Sequence, residues 1–285
     1  VWVYANIGGE AEVDAALSFG ADGIGLLRSE FLYLSLDRAP DEERLYQSYR
    51  AVAERMQGRR VVIRTLDVGA DKQVPYLSLP HEENPALGLR GIRLCLRERT
   101  LFCEQIRAIL RASAHGKVAL MLPMIVSVDE VRACRELIKE CMQTLNERGQ
   151  AYDKNIEIGI MIETPAAAIL CRELAAEVDF FPVGTNDLLQ YTLAADRQNP
   201  HVEPLCRTGQ EPVLRLIEAA ANAIHEAGGI AVLALPGFYD NFELFDELKC
   251  KFVLHHRLAT SCSNSSCAIK SSVSFKHLYD FINRF

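Results

Sequence analysis

Short hydrophobic runs alternate along the chain with longer segments in which apolar residues recur at helical spacing. This alternation is typical of repeated βα units and predicts a parallel sheet flanked by helices. The predicted strands cover residues 1–6, 23–27, 59–67, 117–124, 157–163, 179–184, 228–235 and 250–254. Eight strands in this arrangement predict an α/β fold, a TIM-type (β/α)8 barrel.

Helix signals separate the predicted strands. Ser127 is followed three residues later by Glu130, which is a capping box. Thr164 precedes Pro165, and proline is favoured in the first turn of a helix. Further helices are predicted over residues 10–19, 40–56, 101–114 and 211–227, and a loop over 69–88.

The eighth βα unit has the weakest pattern. The run RLATSCSNSSCAIKSSVSF that follows it is rich in Ser and Cys and has no clear period of 2 or 3.6, and only FKHLYDFINRF at the end looks helical. We therefore predict a barrel domain over residues 1–259 whose last βα units are atypical or disrupted. Residues 260–285 are predicted to be an atypical tail of uncertain structure.

Composition narrows the class of protein. The 285 residues are 49% hydrophobic and 24% charged, as in globular proteins, and the net charge of -7 gives no support to nucleic-acid binding. No apolar stretch reaches the roughly 20 residues of a membrane span. The nine cysteines form no Cys-x-x-Cys pair, which favours reduced thiols and a cytoplasmic location. The start at Val1 indicates a piece of a longer protein.

Carboxylates follow two of the predicted strands. Glu163 ends the run EIGIMIE, and Asp187 comes just after DFFPVG. Because the carboxyl ends of barrel strands face one rim, both side chains are expected there. Mg²⁺ binds a few carboxylates and keeps waters or substrate oxygens at its other positions. The pair therefore predicts a Mg²⁺ site, although each carboxylate could instead cap the helix that follows it.

Arginines are predicted at the same rim: Arg28, Arg64, Arg90 and Arg197. A guanidinium binds phosphate or carboxylate through a planar fork, and the helix start at residues 184–187 also favours an anion. Each arginine could alone be part of a structural ion pair. We expect four of them to be costly without an anion, so the set predicts binding of a phosphorylated anion and phosphoryl transfer.

Six blocks of sequence carry a family resemblance: GADGIGLLRSEFLYL, RTLDVGADK, ENPALGLRGIR, LPMIVSVDEVR, GIMIETPAAA and FFPVGTNDLLQYTLAADR. Their order and spacing resemble the C-terminal domain of enzyme I of the bacterial sugar phosphotransferase system, the phosphoenolpyruvate–protein phosphotransferase family. The resemblance extends from residue 1 to about residue 228. Pyruvate phosphate dikinase and phosphoenolpyruvate synthase share this kind of site.

The resemblance implies a role for each matching residue. Arg28 and Arg64 would bind the phosphate of phosphoenolpyruvate with Lys72 and Arg90 as support, and Glu163 and Asp187 would hold Mg²⁺. The backbone at Asn186 and Asp187 and the guanidinium of Arg197 would bind the substrate carboxylate. In this family the phosphoryl group passes to a histidine on a separate N-terminal domain, and the enolate is protonated to pyruvate. The resemblance also implies a homodimer.

The sequence departs from the family pattern at several points. The histidine domain is absent, and none of the seven histidines lies in a phosphohistidine context. The family's seventh strand ends in Gly-Met-Cys-Gly-Glu, whose cysteine protonates the enolate, but this position falls on Ala234. Ala70 and Gln198 stand where the family usually has glycine, and these two departures are smaller than the loss of the histidine domain and of the cysteine. The break after residue 228 fits a reading-frame shift, a cloning artefact or a degenerate copy.

Three hypotheses about function follow. The chain is the Mg²⁺-dependent catalytic barrel of a phosphoenolpyruvate–protein phosphotransferase, or the related domain of a dikinase or synthase. Alternatively, it is a truncated or degenerate module that binds phosphoenolpyruvate or dimerises without catalysis. The third hypothesis is a Mg²⁺-dependent aldolase or lyase acting on small keto acids.

Overall fold

The computed structural model describes residues 2–34, 36–69, 74, 76–77, 79–206 and 209–229, together with strands at 231–234, 251–253 and 256–257. The strands are β1 (Tyr4–Ile7), β2 (Gly23–Arg28), β3 (Val61–Arg64), β4 (Val118–Leu122), β5 (Glu157–Ile160), β6 (Phe181–Gly184), β7 (Ala231–Ala234), β8 (Lys251–Val253) and β9 (His256–Arg257). All but β2 and β9 are shorter than the predicted runs and overlap with them; β2 is one residue longer than its predicted run, and β9 was not predicted.

Helices connect successive strands. They are α1 (Val13–Ser18), α2 (Glu30–Leu34), α3 (Glu42–Arg55), α4 (Ile92–Arg97), α5 (Arg99–Ser113), α6 (Val128–Glu147), α7 (Pro165–Ile169), α8 (Cys171–Leu174), α9 (Thr185–Leu193) and α10 (Glu211–Glu226). Short 3-10 turns lie at Glu10–Glu12, Pro85–Leu87 and Glu203–Leu205. The capping box at Ser127 and the N-cap at Thr164 are both confirmed. The short helices α2 and α4 were not predicted.

Strands that follow one another in the sequence mostly lie side by side in the sheet. Six strands are hydrogen-bonded in the order β5-β4-β3-β2-β1-β9 and three in the order β6-β7-β8, with every pairing parallel. Isolated bridges from Gly159 to Phe180 and from Ile162 to Val183 join the β5 and β6 regions. The segment that holds β8 and β9 pairs with β7 and then with β1. The α/β class and the order of the strands are as predicted.

Strands β2, β3 and β4 are buried along almost their whole length, as expected of a parallel sheet covered by helices. In β4, Ala119 and Met121 belong to a small cluster with residues of β2 and β3, while Leu120 and Leu122 join the larger core that includes the helices. This alternation between an inner and an outer face is the pattern of a barrel strand. It also explains why the sequence shows a continuous hydrophobic run rather than an alternating one.

Several predictions concern residues outside the part of the chain that the structure describes. These are the tail at 260–285, its boundary at residue 259, and most of the loop around Lys72. No helix among the described residues has the length and apolar character that a membrane span needs.

Candidate functional site

A cavity of about 450 Å³ lies at the carboxyl ends of the strands. Its lining includes Asn6, Arg28, Glu30, Arg64, Asp67, Arg90, Glu163, Asn186, Asp187, Gln190, Asp196 and Arg197. All of the predicted site residues that the structure describes therefore line one cavity. Lys72 is outside the described residues.

Glu163 is fully buried just beyond β5. Its Oε1 accepts a hydrogen bond of 2.7 Å from the backbone N–H of Met124. Met124 has a φ of 59°, which is uncommon for a residue with a side chain and indicates a position held by its surroundings. Burial and the nearby carboxylate of Asp187 raise the pKa of Glu163 to about 8. The site thus holds a carboxylate whose ionisation is costly without a cation.

Asp187 lies in the first turn of α9 rather than in a turn before the helix. Its Oδ1 is 3.8 Å from Nη1 of Arg90 and 3.6 Å from Nη2 of Arg197. That oxygen is buried and makes no hydrogen bond. Buried polar atoms usually have a hydrogen-bond partner, so an exception at a cavity is a reason to expect a ligand.

Gly184 brings the ends of β5 and β6 close together. A Cβ atom at this position would lie 2.8 Å from Cβ of Glu163 and 3.0 Å from Oε2 of the same residue. Any larger residue would have to displace Glu163. The glycine therefore lets the backbone before Asp187 approach the first carboxylate.

Arg64 ends β3 and is almost completely buried. Its Nη2 donates to Oε1 of Glu30 at 2.8 Å, and its Nη1 is 3.2 Å from Oδ2 of Asp67. Burial alone would lower the pKa of Arg64, but these two carboxylates and Glu163 raise it above its ordinary value. The guanidinium is therefore charged and held in place at the cavity.

Arg90 is held by Asp67, the acid that also lies close to Arg64. Its Nη2 lies 3.1 Å from Oδ1 and 3.0 Å from Oδ2 of Asp67, and its Nε lies 3.3 Å from Oδ1. Its Nη1 also donates to the hydroxyl of Tyr191 at 3.4 Å. Asp67 consequently connects an arginine at the end of β3 with one just before α4.

The remaining predicted residues also lie at the cavity. The guanidinium carbon of Arg28 stacks 4.7 Å from the centre of the Phe31 ring. The side chain of Arg197 is more exposed than those of Arg64 and Arg90, and Gln190 Oε1 accepts the backbone N–H of Arg197 at 3.2 Å. Asn186 follows Thr185, where α9 begins, so the positive end of that helix faces the cavity.

The expectation that an outside anion must neutralise the arginines is wrong in part. Glu30 and Asp67 supply carboxylates from within the chain, and the sequence analysis missed both. A signal was present for Asp67, which follows its partner Arg64 by three residues, whereas Glu30 pairs with Arg64 from 34 residues away. An acid that follows a strand-end arginine by three residues is close enough to pair with it at the same rim.

Gln105 of α5 fixes the loops that carry these acids. Its Oε1 accepts from the backbone N–H of Leu66 at 2.9 Å, and its Nε2 donates to Ser29 Oγ at 2.9 Å and to Tyr49 at 3.1 Å. Gln105 is fully buried. It therefore connects the β2 and β3 ends and helps to position the residues that follow them.

Glu163 and Asp187 suit a hard cation. The described residues contain no group of three or more His, Cys, Asp or Glu arranged to hold a metal. Mg²⁺ needs only one or two carboxylates, because substrate oxygens and waters complete its octahedron. The buried Oδ1 of Asp187 and the costly charge of Glu163 fit such an ion.

The fold and the site together define a class: a parallel α/β domain in which arginines and carboxylates at the strand ends line one cavity. The family model described as "PEP-utilising enzyme, PEP-binding domain" matches residues 1–236. The chain therefore belongs to this family of phosphoenolpyruvate-utilising enzymes.

Curated relatives support this membership. The chain is 46% identical over 224 residues to the phosphoenolpyruvate-protein phosphotransferase of Bacillus subtilis (strain 168), and 48% identical over 226 residues to the protein of that name from Haemophilus influenzae. Each match covers 79% of this chain and 39% of the relative. The chain thus spans well under half the length of these relatives.

Solved structures support the fold alone. An HpcH/HpaI aldolase/citrate lyase family protein from Burkholderia cenocepacia J2315 has a TM-score of 0.52 at 15% identity, covering 89% of this chain and 86% of its own. A citrate synthase variant has a TM-score of 0.51 at 12% identity, covering 88% and 83%. Both have TIM-barrel-type folds, as predicted for this chain.

Proposed function

We propose that the chain is the phosphoenolpyruvate-binding, Mg²⁺-dependent catalytic domain of a phosphoenolpyruvate–protein phosphotransferase. One observation carries this proposal: four arginines and the carboxylates Glu163 and Asp187 line a single cavity at the strand ends. A small ligand with a phosphate and a carboxylate matches this charge distribution. Membership of the family and the names of the curated relatives add support.

The arginines are the groups that bind substrate. Arg28 and Arg64 would hold the phosphate, with Arg90 as support, and Lys72 would join them. Charge on the transferring phosphoryl group would be stabilised by guanidiniums that are already fixed, which is the main source of catalysis in this kind of reaction. Arg197, more exposed than Arg64 and Arg90, would bind the substrate carboxylate together with the start of α9 at Asn186 and Asp187.

Glu163 and Asp187 would hold Mg²⁺ at the cavity wall. The ion would neutralise charge on the substrate oxygens, including the enolate oxygen left after transfer. Met124 would keep Glu163 oriented through its 2.7 Å hydrogen bond. Gly184 would keep space for the acid and for the turn that leads to Asp187.

The acceptor of the phosphoryl group would be a histidine on a separate domain. The curated relatives are more than twice as long as the matched region, which leaves room for such a domain in a whole protein of this type. We propose phosphoenolpyruvate and pyruvate as the small-molecule partners, a homodimer as the assembly and the cytoplasm as the location. Turnover by this chain should be poor, since Ala234 stands where the family has its proton donor.

Calorimetry tests the binding step. Titration of phosphoenolpyruvate in the presence of Mg²⁺ should show binding with a Kd of about 1 mM or tighter. Arg64→Ala should abolish the signal, whereas Arg215→Ala, which removes only an exposed ion pair on α10, should leave it unchanged. Absence of heat with the folded protein would refute the proposal.

A separate variant tests whether Glu163 binds Mg²⁺. Glu163→Gln should keep the fold and lose most of the enhancement of phosphoenolpyruvate binding by Mg²⁺, with the exposed Glu218→Gln as control. If both variants respond to Mg²⁺ like the unchanged protein, Glu163 is not a ligand.

Catalysis is tested by supplying a phosphorylatable histidine domain of this family and measuring pyruvate release. Fast release would eliminate the alternative of a module that only binds.

A further inference from the structure

Two cysteines face each other across neighbouring helices on the outside of the sheet. Cys103 belongs to α5 and Cys141 to α6, and these helices pack against one another. Sγ of Cys141 lies 3.7 Å from the carbonyl oxygen of Cys103. Neither residue lines the cavity at the strand ends. The contact brings the two cysteines together at a place that the proposed function does not use.

The two thiols differ in their surroundings. Cys141 is buried, whereas Cys103 is only partly buried and can be reached from solvent. Arg99 and Arg107 stand four residues before and four residues after Cys103, which places both on the same side of α5. Arg99 also forms an ion pair with Glu140, the neighbour of Cys141, and so ties the two helices together beside the thiols.

These surroundings favour a thiolate on Cys103. The hydrogen bond from Cys141, with the positive charges of Arg107 and Arg99, lowers the pKa of Cys103 to about 7. The same hydrogen bond and burial raise the pKa of Cys141, so it keeps its proton. A thiolate with access to solvent beside a second thiol is the arrangement found in redox-sensitive cysteine pairs.

Other cysteines of the described chain lack this combination. Cys95, Cys134 and Cys171 are all buried, and burial raises the pKa of each. Cys206 is only partly buried, but burial and the nearby Glu203 raise its pKa. Selective oxidation is therefore expected at Cys103 and not at these four.

We propose that Cys103 and Cys141 form a redox-active pair that a hydroperoxide converts to a disulfide. The Cys103 thiolate attacks one oxygen of the peroxide, the O–O bond breaks, and the product is a sulfenic acid with hydroxide, or an alkoxide, as the leaving group. The Cys141 sulfur then attacks the Cys103 sulfur and forms the S–S bond. The hydroxyl group of the sulfenic acid and the proton of the Cys141 thiol leave together as water. Two thiols are oxidised by two electrons and one peroxide is reduced.

Peptide mapping provides the test. The whole chain is treated with a small excess of hydrogen peroxide, unfolded in alkylating agent and digested with trypsin. Each cysteine lies in its own tryptic peptide, TLFCEQIR for Cys103 and ECMQTLNER for Cys141. The expected product is these two peptides joined by a disulfide, which disappears after reduction. Without peroxide, iodoacetamide at pH 7.5 should modify Cys103 more than about tenfold faster than Cys134.

Variants distinguish the cysteine that reacts with peroxide, Cys103, from the cysteine that then forms the disulfide, Cys141. In Cys141→Ser, Cys103 should stop at the sulfenic acid and react with dimedone, whereas Cys103→Ser should abolish peroxide reactivity at Cys141. Cys134→Ser should still form the linked peptides. The proposal is overturned if the folded protein gives no linked peptides, or if linkage to other cysteines is as abundant. It is also overturned if protein unfolded before treatment gives as much of this product as the folded chain does.

Discussion

Asp67 binds Arg90 through hydrogen bonds of 3.0 to 3.3 Å from two nitrogens of the guanidinium, and both residues are buried. The same carboxylate lies 3.2 Å from Arg64. A single acid therefore sets the spacing of two arginines, one at the end of β3 and one just before α4. The guanidiniums are in place before a ligand arrives, which reduces the ordering that binding requires.

Replacing Asp67 by Asn should destabilise the ligand-free protein and make its stability depend on an anion. Arg64 and Arg90 would keep their charges but lose a buried partner, which costs about 3 kcal/mol or more. Phosphoenolpyruvate should recover a larger part of the stability in this variant than in the unchanged chain, because its phosphate supplies the missing negative charge. Urea unfolding with and without ligand measures both effects. A loss of stability that the ligand does not reduce would argue against this account.

Most of the fold and the main site residues could be predicted because both depend on local patterns. The hydrophobic runs mark the strands, and the polar residue that follows each run marks the rim, as at Arg64 and Glu163. The prediction failed where a contact depends on three-dimensional packing. Asp67 pairs with an arginine 23 residues further along the chain, and the backbone of Met124 reaches Glu163 across 39 residues. Neither contact has a sequence signal of its own.

Gly184→Ala should weaken the proposed Mg²⁺ site and destabilise the fold only moderately. The new methyl group would lie 2.8 Å from Cβ of Glu163 and 3.0 Å from Cγ of Met161, so one of these side chains must move. We expect a loss of about 1–3 kcal/mol in the free energy of unfolding, as for other overpacked sites, and weaker Mg²⁺ dependence of phosphoenolpyruvate binding.

Gly9→Ala is the matched control, since a Cβ there meets nothing within 4 Å and the backbone φ is an extended 175°. Equal behaviour of the two variants in denaturant and in calorimetry would contradict the proposed role of Gly184.

Glu42 should make stability depend on pH. Its carboxylate accepts hydrogen bonds from Arg107 at 2.5 Å, Arg111 at 3.0 Å and Arg148 at 3.1 Å. Burial alone would raise the pKa of Glu42, but these arginines lower it below the ordinary value of 4.5. Because the folded pKa is lowered, the stabilisation is present above the ordinary pKa and is lost as the pH falls through the lowered one.

Glu42→Gln should therefore lower the free energy of unfolding by about 2 kcal/mol at pH 7, as for a hydrogen bond to a charged group. The difference from the unchanged chain should shrink below pH 4.5. Urea unfolding at several pH values measures it, with the exposed Glu218→Gln as control. A difference that stays constant down to pH 3 would show that Glu42 acts through packing and not through charge.

Ala234→Cys should raise turnover if this chain is a phosphotransferase domain without its proton donor. Ala234 ends β7, in register with Gly184 at the end of β6, and β6 leads directly to Asp187. The position is therefore at the rim beside the proposed substrate site. A cysteine there could protonate the enolate, and a positioned general acid commonly contributes about 10²–10⁴-fold. With a histidine domain supplied as acceptor, we expect pyruvate release to rise roughly hundredfold, while phosphoenolpyruvate affinity stays the same. Leu233→Cys, one residue earlier on the strand, controls for a thiol that is merely nearby. If both cysteine variants release pyruvate at the rate of the unchanged chain, then protonation at this strand end does not limit the reaction.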